Sequence, residues 1–278
     1  MNESLKLRVR QIEKLPTLPV IAQQILSLVG DDTVSVNKLE KIIENDPAIS
    51  AKVLSVANSA FFKAVTPAAT LGNAIFRIGF NNVKDIALGI SVMTVLSDGG
   101  RDTEIDYYRV FNHSVSVGFT AGLLAQRLNL DLLEEILMNG ILHDIGYLVL
   151  NKYFIDSYRK VTELFEKNNS LLEAEKEIFD FTHADIGAWL AEKWNLPDTV
   201  LDTTLYHHAP SLAKNNLKHV AVIHIADYLT TKNIFRPTKN DPNYPFDPSS
   251  LEALGMSEKD FKEMEAKISV ENLSDEVV

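Results

Sequence analysis

The feature that most restricts the fold of this 278-residue chain is the spacing of its apolar side chains. Long segments carry them at i, i+3, i+4 and i+7, and the alternation that marks a half-buried strand is scarce. Each helix so patterned has one stripe to hide, and with few strands available it must hide it against other helices. The expected fold class is therefore all-α.

Punctuation residues divide the pattern. Ile21, Ile25 and Leu28 mark one helical face, and Gly30-Asp31-Asp32 stops it. A short helix is predicted from Ser35 to Glu44. Asp46-Pro47 restarts the chain, with Asp as N-cap and Pro at the first helical position, and that helix runs to about Asn58. A helix over 71–78 ends at Gly79, and Asn81 or Asn82 is expected to cap the next, which reaches Leu96. Beyond Ser97-Asp98-Gly99-Gly100 a long helix is expected over 103–127, then helices over 131–143, 151–168, 171–180, 183–194, 198–207 and 216–231. Residues 233–250 hold four of the ten prolines and read as a surface connection. A short helix near 257–267 and an acidic tail follow. The expected units are 1–98, a helical N-terminal subdomain; 99–232, a second helical subdomain; and 233–278, the connection, short helix and tail.

Composition removes several kinds of chemistry. There is no cysteine, hence no disulfide, no zinc ribbon, no iron–sulfur cluster and no thiol nucleophile. Any metal must be held by nitrogen and oxygen. The start, MNESLKLRVRQIEKLP, is too charged for a signal peptide. The apolar run IALGISVMTVL at 86–96 is shorter than the ~18–20 residues that a membrane span needs. A cytoplasmic protein without membrane contact is expected. With 27 Lys and Arg against 38 Asp and Glu the net charge is −11, which argues against a nucleic-acid partner. A phosphate-bearing small molecule stays open, because bound cations can reverse the field inside one pocket.

The histidines are unevenly placed. All seven lie at or after His113. His113 shares a helical face with Val117 and Leu124, and His183 shares one with Gly187, Leu190 and Trp194. Asp227 shares one with Val220, Ile223 and His224. A carboxylate on such a face needs a cation or a set of donors beside it, since burial without a partner costs several kcal/mol. The adjacent pair His143-Asp144 closes an apolar helical run just before Gly146, a residue that allows close backbone approach or a left-handed turn. It can offer an imidazole and a carboxylate to one ion if both aim inward. Imidazole with carboxylate suits Fe, Mn, Zn, Co or Ni rather than Ca or Mg. Tyr206-His207-His208-Ala209-Pro210 reads equally as a helix end where histidine complements the dipole. His219 reads as a surface residue, and His224 as core or as support for a site. Four helices each bringing His or Asp inward is what a site inside a bundle requires.

The local contexts HSVSVGFTAGLLAQRL, LHDIG and HIADYL resemble the HD superfamily of metal-dependent phosphohydrolases, whose ligands are a His, a His-Asp pair and a later Asp. The matching residues are His113, His143-Asp144 and Asp227. The HD-GYP branch adds one His and then an adjacent pair, for which THADIGAWL offers His183 and YHHAP offers His207-His208. The resemblance implies a multi-helix HD-type bundle and two divalent transition-metal ions, Fe or Mn first, with Zn, Ni or Co as alternatives. His113, His143, Asp144 and Asp227 would surround one ion. Asp144 would bridge to a second, held by His183, His207 and His208. His143 and Asp144 would be the catalytic pair.

The first half resembles the HDOD family, the HD-related output domain, through Leu15-Pro16, Leu18-Pro19, Asp46-Pro47, Asn58-Ser59 and Ala74-Ile75 with Gly79. Together the two resemblances cover roughly 11–230. They imply either a metal-dependent phosphohydrolase acting on a phosphate ester or a cyclic or linear nucleotide, or a non-catalytic signalling module that binds a protein partner. In such a hydrolase the nucleophile comes from water, so the lack of a GxSxG motif is no objection. Two features depart from HD-GYP enzymes. Tyr147 stands where they usually have a lysine after HDIG, and His207-His208 is followed by Ala209-Pro210-Ser211 rather than by the GYP motif. Basic residues to meet a substrate phosphate are few, Lys152 and Arg77 being candidates, and the substrate-binding residues stay unassigned. No receiver-like, GGDEF-like or DNA-binding segment is recognisable, so a stand-alone protein is expected.

Overall fold

In a computed structural model of the chain the described residues are 3–10, 12, 15–28, 35–59, 62, 66–97, 104–131, 135–168, 170–233 and 244–270. The expected breaks at 30–32 and 98–100 and the acidic tail fall outside them. Sixteen α-helices and no strands occur among the described residues. The N-terminal set is α1 Glu3–Val9, α2 Val20–Leu26, α3 Val36–Glu44, α4 Pro47–Ala57, α5 Leu71–Ile78 and α6 Phe80–Leu96. The second set is α7 Tyr107–Arg127, α8 Ile136–Leu142, α9 Ile145–Tyr153, α10 Ile155–Asn168, α11 Leu171–Phe179, α12 His183–Lys193, α13 Asp198–Tyr206 and α14 Leu217–Asn233. α15 Ser249–Leu254 and α16 Glu258–Val270 are the last helices among the described residues.

Local chemistry explains many boundaries. Ser35 caps α3 by accepting from the Lys38 N–H. Asp46 accepts from the Ala48 and Ile49 N–H groups at 2.9 and 3.1 Å, with Pro47 in the first turn where its missing N–H costs nothing. Gly79, at φ 91°, serves both as C-cap of α5 and N-cap of α6. The expected Asn cap is therefore not used; Asn82 instead donates back to the Ile78 carbonyl. Helix α7 begins later than the apolar pattern implied, because Asp106 caps it through the Tyr108 and Arg109 N–H groups. Helix α9 was not anticipated. It follows the His143-Asp144 turn at once, and Ile145 through Asn151 are all buried, so no polar face marks its period.

Helix α6 is buried over most of its length and packs on α2 and α4 on one side and on α8 and α9 on the other. One apolar cluster consequently runs from Leu5 through α6 into α9–α13. A second cluster joins Val117, Leu124 and Ile136 to Ile223, Ala226 and Leu229, with Leu251 and Met264 closing it. Helix α7 packs against both α8 and α14, and α12 packs against both α9 and α13. These pairings carry five of the chain's histidines to one place. The approach of α9 to α12 is set by Gly146: a Cβ there would lie 1.9 Å from the His183 carbonyl oxygen. Close backbone approach, not a left-handed turn, is the role of this glycine. No helix is long and apolar enough among the described residues to cross a membrane.

Candidate metal centre

Five structural positions supply the centre. His113 comes from the middle of α7. His143 caps the C-terminal end of α8 and Asp144 precedes α9, so the two sit in one tight turn. His183 opens α12, His207 and His208 leave the C-terminal end of α13, and Asp227 lies in α14. Six of these seven side chains are buried and His208 is partly so.

The two oxygens of Asp144 face different neighbours. Its Oδ2 lies 3.6 Å from His113 Nε2 and 3.3 Å from His143 Nε2. Its Oδ1 lies 3.4 Å from both His183 Nε2 and His207 Nε2. On the first side Asp227 Oδ1 stands 3.1 Å from His113 Nε2 and 3.8 Å from His143 Nε2. On the second, His208 Nε2 is 2.9 Å from His183 Nε2. Ligands bound at about 2.1 Å from one cation lie about 3.0–3.4 Å apart at octahedral to tetrahedral angles. Four of the seven separations, 3.1 to 3.4 Å, have that spacing, and the other three, 2.9, 3.6 and 3.8 Å, lie close to it. The Nε2 atoms of His143 and His207 are buried and make no hydrogen bond, although each faces a carboxylate oxygen. Buried ring nitrogens left in this way are rare unless something else engages them.

The far nitrogen of three rings explains why Nε2 points inward. His143 Nδ1–H donates to the Gly140 carbonyl at 2.7 Å, and His207 Nδ1–H to the Thr204 carbonyl at 2.9 Å. His183 Nδ1–H donates at 2.8 Å to Glu175 Oε2, which also accepts the His183 backbone N–H at 2.9 Å. Such outer partners fix the tautomer and leave Nε2 as a lone pair. Glu175 was not singled out from the sequence. Its signal was legible: it lies on the apolar face of α11 with Leu171, Ala174 and Ile178, where a carboxylate has no other reason to be. Tyr147, at the position after HDIG, lies flat on His183 with ring centroids 3.8 Å apart.

Electrostatics are those of a site balanced by protons when no cation is present. Burial works against charge on His143, but Asp144 and Asp227 outweigh it and hold the ring up at about 9. Burial likewise opposes charge on His183, and Glu175 with Asp144 raises it to about 10. Burial would raise Asp144; the neighbouring His143, His183 and His207 instead hold it well below the carboxylate range. Burial pushes His207 and His208 down. A cation would compete with these protons for the same positions, so its uptake releases protons.

His224 does not enter the cluster. It is buried, its Nδ1–H donates to the His207 carbonyl at 2.6 Å, and its Nε2 accepts the Asp247 N–H at 2.9 Å. The two basic residues proposed as phosphate contacts are turned to other work. Arg77 donates to Asn58 and to the Thr66 carbonyl, and Lys152 to the carbonyls of Val95 and Ser97. The ion pairs described for Asp144 and Asp227 are all to imidazoles. The connection read as a surface loop is also different: Tyr244 through Asp247 are partly buried, and the Tyr244 hydroxyl donates to Asp227 Oδ2.

A fold that is all-helical among the described residues, in which two carboxylates and five imidazoles from helix interiors and helix ends meet, defines a helical protein with a candidate metal centre. The HDOD domain family matches residues 15–210, and the chain belongs to it. An HDOD domain protein of unknown function from Geobacter sulfurreducens superposes with a TM-score of 0.81 at 21% identity, over 96% of this chain and 93% of that one. A proposed phosphohydrolase from Shewanella amazonensis superposes with a TM-score of 0.72 at 22% identity, over 97% and 95%. An uncharacterised Treponema pallidum protein is 26% identical over 200 residues, 71% of this chain. The chain spans only 38% of that relative's length.

Proposed function

We propose that this HDOD protein binds two divalent transition-metal ions, Fe or Mn by preference, and hydrolyses a phosphate ester or a cyclic or linear nucleotide. The observation that carries the reading is the division of Asp144 between two sets of imidazoles. His113, His143, Asp144 and Asp227 would hold one ion; Asp144, His183, His207 and His208 would hold the other. Nitrogen and oxygen donors without sulfur suit Fe, Mn, Zn, Ni or Co. A bound pair of such ions supplies Lewis acidity, acidifying water and drawing charge from phosphoryl oxygens. The chain's own contribution is orientation. The Nδ1 hydrogen bonds of His143, His183 and His207 aim each Nε2, and the buried walls of α7, α9 and α14 exclude bulk water. Within this reading His143 and Asp144 are the groups nearest the reacting atoms.

Two observations favour a second reading, a non-catalytic signalling module whose metal site is structural or vestigial. Tyr147, not lysine, lies against His183, and Arg77 and Lys152 are engaged elsewhere. Elemental analysis of protein grown with added Fe, Mn or Zn, followed by assays on phosphomonoesters, phosphodiesters and cyclic nucleotides, separates the two. The hydrolase reading expects bound metal and turnover, both lost in Asp144→Ala. Metal without turnover on any substrate supports the signalling reading with a structural ion, and protein without metal overturns the hydrolase reading and leaves a signalling module with a vestigial site.

A further inference from the structure

The segment 244–247 reaches the centre from outside residues 15–210, the part that matches the family. Its neighbours hold it firmly. Phe246 packs against Tyr228 and Phe261 with ring centroids 4.8 and 5.0 Å apart, and lies 5.4 Å from the His224 ring. Asp247 Oδ2 accepts from the Ser211 N–H and hydroxyl at 3.2 and 2.7 Å, while its own N–H donates to His224 Nε2. This anchoring sets the Tyr244 phenol on Asp227 Oδ2 and turns the ring edge-on to His208, with centroids 5.4 Å apart. His208 belongs to one set of imidazoles and Asp227 to the other. A single side chain on an anchored strap thus touches both halves of the centre, its hydroxyl on Asp227 and its ring on His208.

The chemistry of that position is specific. Asp227 Oδ1 already faces His113 at 3.1 Å and accepts the Thr231 hydroxyl at 3.2 Å, so the phenol covers the second oxygen. Donors for an anion are scarce here. The Nδ1–H groups of His143, His183 and His207 are committed to Gly140, Glu175 and Thr204, and the carboxylates only accept. A neutral phenol supplies a donor without adding charge, and it is partly exposed, so it can exchange one acceptor for another.

We infer that Tyr244 is the substrate-side hydrogen-bond donor of the centre: its hydroxyl leaves Asp227 Oδ2 and donates to a phosphoryl oxygen seated between Asp227 and His208. The inference rests on the metal and phosphate reading above. It makes the strap a specificity element for tetrahedral oxyanions, carried by a part of the chain beyond the family match.

The test uses the full chain loaded with Mn and inorganic phosphate as probe. Phosphate affinity is read from paramagnetic broadening of the phosphorus resonance, and the phenol from the ultraviolet difference spectrum on phosphate addition. Tyr244→Phe keeps the ring on His208 and removes only the donor. It should take up as much Mn as the wild type and bind phosphate about tenfold more weakly, the size expected of one hydrogen bond to an anion. The wild type should show a tyrosine difference band that Tyr244→Phe lacks. Equal or tighter phosphate binding by Tyr244→Phe, or the same band in both proteins, overturns the role of Tyr244 and leaves the metal centre standing. Failure of the wild type to take up any of Mn, Fe or Zn overturns the metal reading and this inference with it.

Discussion

Glu175 shows what a single buried side chain can do for a site it does not enter. It is fully buried, and one oxygen accepts both the ring and the backbone N–H of His183. Glu175→Gln keeps the volume and weakens the orienting charge. If two ions bind as proposed, it should lower affinity for one of them by about 10–100-fold, as other outer-shell changes do, while the second binds almost normally; stepwise metal titration reads the difference. Asp85 makes the opposite case, a buried carboxylate with no hydrogen-bond partner for either oxygen and Lys84 Nζ 3.8 Å away. Burial raises it to about 7 against the pull of Lys84. A carboxyl raised in the folded state favours folding most where it is protonated, below its unfolded value of 3.8, and loses that contribution as pH rises through 7. Asp85→Asn should therefore gain on the wild type as pH rises, by on the order of 4 kcal/mol at pH 8, with the difference small near pH 4. Denaturant melts of both proteins across that range check the sign.

Among the elements, the meeting of α9 and α12 controls the geometry around Asp144. Gly146→Ala would drive a methyl group into the His183 carbonyl, a backbone atom that cannot rotate aside. Separating the helices should cost about 2–3 kcal/mol and pull Asp144 from His183, lowering metal content as well as stability. Gly122 in α7 has nothing within 4 Å of a new Cβ, so Gly122→Ala should leave metal content alone and be neutral or stabilising by up to about 1 kcal/mol. Thermal melts and elemental analysis of the pair separate local crowding from a general intolerance of substitution. The elements also show what sequence can and cannot reveal. Helices α3 and α4 were readable because Ser35 and Asp46 mark their starts chemically. Helix α9 was hidden because it is apolar on every side. Tyr244 was hidden because a proline-rich connection carries no periodicity, and only the tertiary fold brings it to Asp227.

At the scale of the molecule, α6 joins the N-terminal helices to α8 and α9 through one continuous apolar cluster. The seven side chains of the centre lie on α7, at the α8–α9 turn, and on or at the ends of α12, α13 and α14, so ions at their meeting point would tie distant parts of the chain together. Their convergence was legible from helical faces taken together with a family resemblance; neither the outer support of Glu175 nor the cover of Tyr244 was. Because a cation binds the assembled centre and not the unfolded chain, chelation should lower the melting temperature of metal-loaded protein, by an amount that grows with affinity. An unchanged melting curve would mean that the cluster stands without ions. The most direct measurement is anomalous scattering from crystals of the Mn- or Fe-loaded protein. The account predicts two peaks about 3.5–4 Å apart on either side of the Asp144 carboxylate, one against His113, His143 and Asp227 and the other against His183, His207 and His208. A map with no peak among these side chains, from crystals that carry the metal elsewhere, would contradict it.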